Sequence, residues 1–188
     1  ELSLSDGFVI TVLFWIVLSV SGSIPFILFG FGVVDSFFES MSGITTTGAT
    51  VIAGLDDLPK SLLIYRQLLQ WLGGMGLIVL AIAVMPLLGI GGGQLFKTQT
   101  PGPMSEQRLT PRITSTARAL WSIYFVLTVL CIFAYRLAGM SYFDAVSHAF
   151  STVSIGGFST HDLSIGFFDS LSIEIVCITF MLLSAMSF

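Results

Sequence analysis

The sequence predicts an all-α membrane protein built from two tandem helix–re-entrant loop–helix repeats, and three observations carry that prediction. Hydrophobic residues make up 54% of the 188-residue chain and charged residues only 10%, with a mean hydropathy of +0.95, whereas an average soluble domain is about 25% charged. Four apolar stretches, near 8–31, 61–88, 116–136 and 167–188, approach or exceed the roughly 20 residues a helix needs to cross hydrocarbon. Finally, one pattern occurs twice at an offset of 109: Asp35 matches Asp144, Ser42 matches Ser151 and Gly48 matches Gly157. The offset extends beyond the motif, to Val17-Leu18 with Val126-Leu127, Gly30 with Gly139, and Ser61-Leu62 with Ser170-Leu171.

The first apolar stretch lacks a basic leader and a small-residue cleavage site, so it is expected to be a retained span and not a signal peptide. With no initiating Met and a last span running to the chain end, the sequence is expected to be part of a longer polypeptide. Residues 1–96 then form the first repeat, with a pore helix at about 34–43 and a filter at about 44–50. Residues 97–112 form a basic loop, and 113–188 a second, truncated repeat with a pore helix at about 143–153 and a filter at about 154–160.

The two short helices cannot span a bilayer at about 1.5 Å per residue, so they must enter and turn back. Asp35 and Asp144 are expected to cap their first turns. Non-helical backbone at membrane depth persists only where protein or a water-filled cavity satisfies it. A helix C-terminus aimed into such a cavity is electronegative, and the segments Thr45-Thr46-Thr47-Gly48 and Ser154-Ile155-Gly156-Gly157 can turn carbonyls toward an axis, where rings of carbonyls replace a cation's hydration shell. Gly48 and Gly157 are the expected pivots, because aligned carbonyls need dihedrals that a Cβ opposes. The expected ion ligands are the carbonyls of Thr46, Thr47, Gly48, Ile155, Gly156 and Gly157, with Phe158 bracing the second loop from behind.

The long polar connection carries Lys97, Arg108 and Arg112 against Glu106, which makes it cytoplasmic by the positive-inside rule. The loops then open to the opposite side, where Asp56, Asp57, Asp162 and Asp169 face Lys60 and would concentrate cations. Arg66, near the start of the second span, is expected to bond loop carbonyls behind the filter, since an intramembrane Arg must face protein, water or headgroups. Gly73-Gly74-Met75-Gly76 should permit close helix approach. The run Gly89-Ile90-Gly91-Gly92-Gly93 lacks the context of a nucleotide loop. Cys131 and Cys177 lie inside apolar spans and are expected to be small buried hydrophobes. His148 and His161 are too few for a metal site, and Ser159, His161 and Asp162 are local neighbours, not an assembled catalytic triad.

Three motifs together resemble the pore subunit of the Trk/Ktr/HKT superfamily of potassium transporters, and in particular its bacterial TrkH-type branch: Phe38-Glu39-Ser40-Met41-Ser42-Gly43-Ile44-Thr45-Thr46-Thr47-Gly48-Ala49-Thr50, Tyr65-Arg66-Gln67-Leu68-Leu69-Gln70-Trp71-Leu72-Gly73-Gly74-Met75-Gly76, and Ile155-Gly156-Gly157-Phe158-Ser159-Thr160-His161-Asp162. The resemblance implies four repeats around one pseudo-fourfold pathway as in potassium channels, of which this chain carries the first two, with Gly48 and Gly157 as filter glycines. In plant relatives a Ser at the first such position accompanies sodium preference, so Gly at both implies potassium. The resemblance further implies a multi-pass protein of the bacterial cytoplasmic (inner) membrane, potassium as the transported ligand and no cofactor. Its implied partners are the remaining two repeats, a second copy in a homodimer, the lipid bilayer, and a cytosolic nucleotide-binding TrkA-type ring contacting the basic loop. Nucleic acid is not an expected partner and no enzymatic activity is expected. The competing readings are a broken-helix secondary transporter, which would usually aim helix N-termini at an anion, and an intramembrane protease.

Overall fold

The computed structural model describes residues 4–84 and 109–187. The basic residues Lys97 and Arg108 and the glycine run at 89–93 lie outside the described residues. Six α-helices are described: α1 (Leu4–Phe29), α2 (Val33–Ile44), α3 (Lys60–Val84), α4 (Leu109–Leu137), α5 (Tyr142–Val153) and α6 (Leu171–Ser187). Every regular element among the described residues is helical, including short 3-10 turns at Leu55–Asp57 and Ser164–Phe168. Helix α4 begins ahead of its apolar span; Pro111 falls in its first turn, where no intrahelical N–H bond is required.

The repeat is visible in the backbone. Helix α1 ends at Gly30 and α4 at Gly139, both at φ 109°. Each is followed by the same pair of returning bonds, Gly30 N–H to Ile27 O and Phe31 N–H to Phe26 O, then Gly139 N–H to Arg136 O and Met140 N–H to Tyr135 O. These turns reverse the chain so that α2 lies against α1 and α5 against α4.

Helix α3 breaks the symmetry by packing on both short helices. Its Leu62, Leu63 and Leu69 join Phe26, Ile44, Ile52 and Leu55 in one core. Its Met75 joins Tyr124, Cys131, Tyr135, Met140, Ala149 and Val153 in the other. Lipid tails are as apolar as these side chains, so close packing at small residues matters more here than removal from water. A Cβ on Gly73 would lie 1.9 Å from Ile44 O, and one on Gly74 2.8 Å from Tyr124 Oη and 3.1 Å from Ser154 Cβ. The two glycines thus let α3 wedge between the C-terminal ends of both short helices. Among the described residues nothing lies within 4 Å of the Cβ side of Gly76.

Polarity is inverted relative to a soluble bundle. Val17, Leu28 and Phe133 are 60%, 82% and 63% exposed, while Glu39, Arg66, Gln67 and Gln70 are fully buried. Among the described residues two windows, Thr11–Phe29 and Ala117–Leu137, are long and apolar enough to cross a membrane. An apolar exterior around a polar interior suits hydrocarbon surroundings, where charged side chains face the bundle interior.

Candidate functional site

Helices α2 and α5 end in the same hydrogen-bonded cap. At the end of α2, Thr46 N–H returns to Gly43 O at 3.0 Å and Thr47 N–H to Ser42 O at 2.9 Å. At the end of α5, Ile155 N–H returns to Thr152 O at 3.1 Å and Gly156 N–H to Ser151 O at 2.8 Å. This is the Schellman arrangement, which usually places Gly in its left-handed position. Here that position holds Thr46 and Ile155, both at φ 55°. A β-branched residue with positive φ is a strained outlier, and such strain clusters at functional sites. Two residues later Gly48 (φ 78°) and Gly157 (φ 83°) are left-handed again.

The caps consume N–H groups and leave carbonyls over. Among the described residues no donor reaches the carbonyls of Thr46, Thr47, Gly48, Ile155 or Gly157. With the electronegative ends of α2 and α5 behind them, these segments form a cation-favouring surface. The Gly156 carbonyl, also expected among the ion ligands, differs from these five in accepting a hydrogen bond, from Gln70 Nε2 at 2.7 Å. The cause is the reach of α3, whose Gln70 amide occupies the space that a side chain on Gly156 would fill.

Each loop is tied to its own short helix by a strut at equivalent positions. In the first, the Glu39 carboxylate accepts from Thr50 Oγ1 at 2.9 and 3.0 Å and from Val51 N–H at 3.2 Å. In the second, His148 Nε2 lies 3.0 Å from Ser159 Oγ, and His148 Nδ1 lies 2.9 Å from Asp144 O. A carbonyl can only accept, so Nδ1 carries the proton and Nε2 of the neutral ring accepts from the Ser159 hydroxyl. Position 148 is position 39 displaced by 109, and 159 is 50 displaced likewise. That correspondence makes the His148–Ser159 contact a strut and not a nucleophile–base pair.

Arg66 joins the two loops. Its Nε donates to Glu39 Oε1 at 2.7 Å and its Nη2 to Thr50 Oγ1 at 3.1 Å, while Nη1 donates to Ser159 O at 3.1 Å. Its guanidinium lies 4.4 Å from the centroid of the buried Phe158 ring. Arg66 therefore bonds a loop carbonyl of the second repeat, and its charge partner is Glu39 of the first. Two opposite charges at membrane depth must pair to offset their desolvation, and that was the available signal.

The helix-capping expectation needs correction. Gly32, not Asp35, is the N-cap of α2 and makes no side-chain cap bond; Asp35 is exposed in the first turn. In α5 the N-cap is Ser141, whose Oγ accepts from Asp144 N–H at 3.1 Å and donates to Asp144 Oδ2 at 2.6 Å. Each helix starts earlier than expected because the apolar residues before the Asp, Val33-Val34 and Tyr142-Phe143, are already helical. Both carboxylates still stand at the positive end of their helix dipole.

Beyond the loops, the two repeats are latched together. Asp162 accepts from Gly54 N–H at 3.1 Å and from Leu55 N–H at 3.1 and 3.2 Å, and His161 Nδ1 pairs with Asp56 Oδ1. The His161 ring stacks on Phe167 at 3.5 Å. The hydrogen bond from His161 holds the Asp56 carboxyl below its ordinary value against the opposing effect of desolvation, with help from Asp162 N–H. Among the described residues no group of three or more His, Cys, Asp and Glu could hold a metal ion.

Comparison with known proteins supplies the remaining findings. The family model TrkH, described as cation transport protein, matches residues 1–188. The Trk system potassium uptake protein TrkH of Halomonas elongata is 59% identical over 191 residues, covering 100% of this chain and 40% of that protein. The Trk system potassium uptake protein TrkG of Escherichia coli is 50% identical, with 100% of this chain and 39% of that protein covered. The crystal structure of the potassium transporter TrkH from Vibrio parahaemolyticus matches with a TM-score of 0.81 at 56% identity, over 96% of this chain and 36% of that one. The chain thus spans about 40% of the length of the curated relatives it matches.

Proposed function

We propose, from the premise that the chain belongs to the TrkH family of cation transport proteins, that it supplies two of the carbonyl-lined loops of a potassium uptake pathway. The observation that carries this reading is the repeated left-handed cap, which leaves the carbonyls of Thr46, Thr47, Gly48, Ile155 and Gly157 without donors among the described residues at the negative ends of two helices. A partly dehydrated monovalent cation is the ligand such groups suit, held weakly enough at several sites to move on. Helix C-termini facing the loops favour a cation pore over a carrier that aims helix N-termini at an anionic substrate.

The complete pathway in this reading needs two further repeats of the same polypeptide. It sits in the bacterial cytoplasmic membrane as a multi-pass homodimer, with residues 97–112 facing a cytosolic nucleotide-binding TrkA-type ring. Transport relatives and a site of main-chain carbonyls support transport and not catalysis as its work.

Potassium and sodium flux into proteoliposomes of the complete protein, native against Gly157→Ser, tests the reading. Potassium-selective flux that loses selectivity on substitution is the expected result. Selective flux indifferent to the change would place the filter elsewhere.

A further inference from the structure

The second loop has a feature that the first loop lacks among the described residues. Gln70 of α3 is fully buried; its Nε2 donates to Gly156 O at 2.7 Å and its Oε1 accepts from Phe158 N–H at 3.0 Å. The two bonds bracket Gly157. The orientation of the amide is set chemically, because the Phe158 N–H must meet an acceptor and the Gly156 carbonyl a donor.

Gly157 needs such a clamp. Its φ of 83° is left-handed, and among the described residues nothing lies within 4 Å on its Cβ side to hold it there. Gly48, by contrast, has Gly156 O only 1.9 Å from where its Cβ would stand. The clamp also accounts for Gly156, where a Cβ would meet the Gln70 amide carbon at 2.4 Å.

We propose that Gln70 is a positioning residue for ion discrimination, which withdraws the Gly156 carbonyl from the ion path and fixes Gly157 so that its carbonyl is presented to the cation. The inference rests on the carbonyl-filter reading above. A neutral amide suits the task because it supplies a donor and an acceptor on one rigid plane without adding a charge beside a cation path. A carboxylate there would keep the acceptor and lose the donor, setting its lone pairs against Gly156 O.

The test uses the complete protein in proteoliposomes and the flux of Li⁺, Na⁺, K⁺, Rb⁺ and Cs⁺. Gln70→Glu and the volume-matched Gln70→Met are compared with Gln67→Met on the same helix. Gln67 is equally buried and its amide has no hydrogen-bond partner among the described residues. Loss of the clamp is expected to compress the ratio between best and worst ion by about tenfold, the equivalent of one or two net hydrogen bonds, while Gln67→Met keeps the native order. Acidification should restore the order in Gln70→Glu by returning an O–H donor, and leave Gln70→Met unchanged. Folded Gln70 variants that keep the native order, or that lose it only as far as Gln67→Met does, would overturn the proposal. A native protein whose preferred ion is not potassium would overturn the potassium reading instead, and the change in whatever order it shows would still decide the role of Gln70.

Discussion

The two loops share a backbone and differ in what holds it. Around Thr45–Thr50 the support is ionic: Glu39 and Arg66, both fully buried, enclose the Thr50 hydroxyl between them. Around Ser154–Ser159 the strut from its own short helix is neutral, the imidazole of His148, and α3 adds the amide of Gln70 and one N–H of Arg66 on the Ser159 carbonyl. The same φ at Thr46 and Ile155, nearly the same φ at Gly48 and Gly157, and the same returning bonds at both caps show that the loop conformation does not depend on one kind of strut. A duplicated unit can therefore replace a buried acid by a histidine, provided that the acid's counter-charge is not needed at the second site. Arg66 has no duplicate; the position 109 residues later is Ile175.

The largest expected effect comes from splitting the ion pair. Arg66→Met or Glu39→Gln strands one charge in the interior and should destabilise the complete protein by about 3–5 kcal/mol. Ser159→Ala, which removes the neutral strut's hydroxyl, should cost about 1 kcal/mol. Denaturant titration in micelles followed by helical circular dichroism measures both, and equal losses would break the ionic-versus-neutral distinction. The combined Arg66→Met, Glu39→Gln variant should recover part of the loss, since no unpaired charge remains.

Next come the glycines. A side chain at a left-handed position costs about 1–2 kcal/mol, and both Gly48→Ala and Gly157→Ala meet that cost. Gly48→Ala adds a collision with the Gly156 carbonyl, of the kind that costs about 1–3 kcal/mol. The difference in unfolding midpoint between the two variants therefore reads the packing of one loop on the other. Identical midpoints would mean that the loops do not touch.

The smallest effect is the latch. Because folding depresses the Asp56 carboxyl, its contribution is present above the ordinary value of 3.8 and fades as pH falls through the depressed one. The protection factors of the Gly54 and Leu55 amides, intrinsic exchange rates divided by the observed rates at each pH, should fall at pH 3 relative to pH 6 in the native protein. Asp56→Asn should flatten the part of that pH dependence due to Asp56, and an unchanged profile would show that this carboxyl plays no part in closing the latch.

Much of this was legible because duplication is a strong signal. The 109-residue offset paired the two short helices, Gly48 with Gly157 and Gly30 with Gly139 from residue identity alone, and all four glycines are left-handed in the structure. What stayed hidden was whatever the repeat does not copy. Glu39 and Arg66 are 27 residues apart on different helices, so no periodicity links them, and only the cost of a lone intramembrane charge points from one to the other. Arg66 and Gln70 are one helical turn apart and hence share a face, a spacing that signals a common task without naming its target. The left-handed Thr46 and Ile155 were unreadable for another reason: β-branched residues are the last that local preference would put there, and the returning hydrogen bonds impose the conformation.

The sharing of α3 has a consequence for biosynthesis. Chains are made from the N-terminus at about 5–20 residues per second, so Thr45–Gly48 is made before Arg66 exists to hold it. Ser154–Phe158, by contrast, is made when Arg66 and Gln70 are already in place. The first loop waits for its brace, and the second is laid onto one. A ribosome pause or early release between residues 50 and 66 would thus leave the first loop without its brace, whereas no comparable interval exists for the Arg66 and Gln70 bonds of the second.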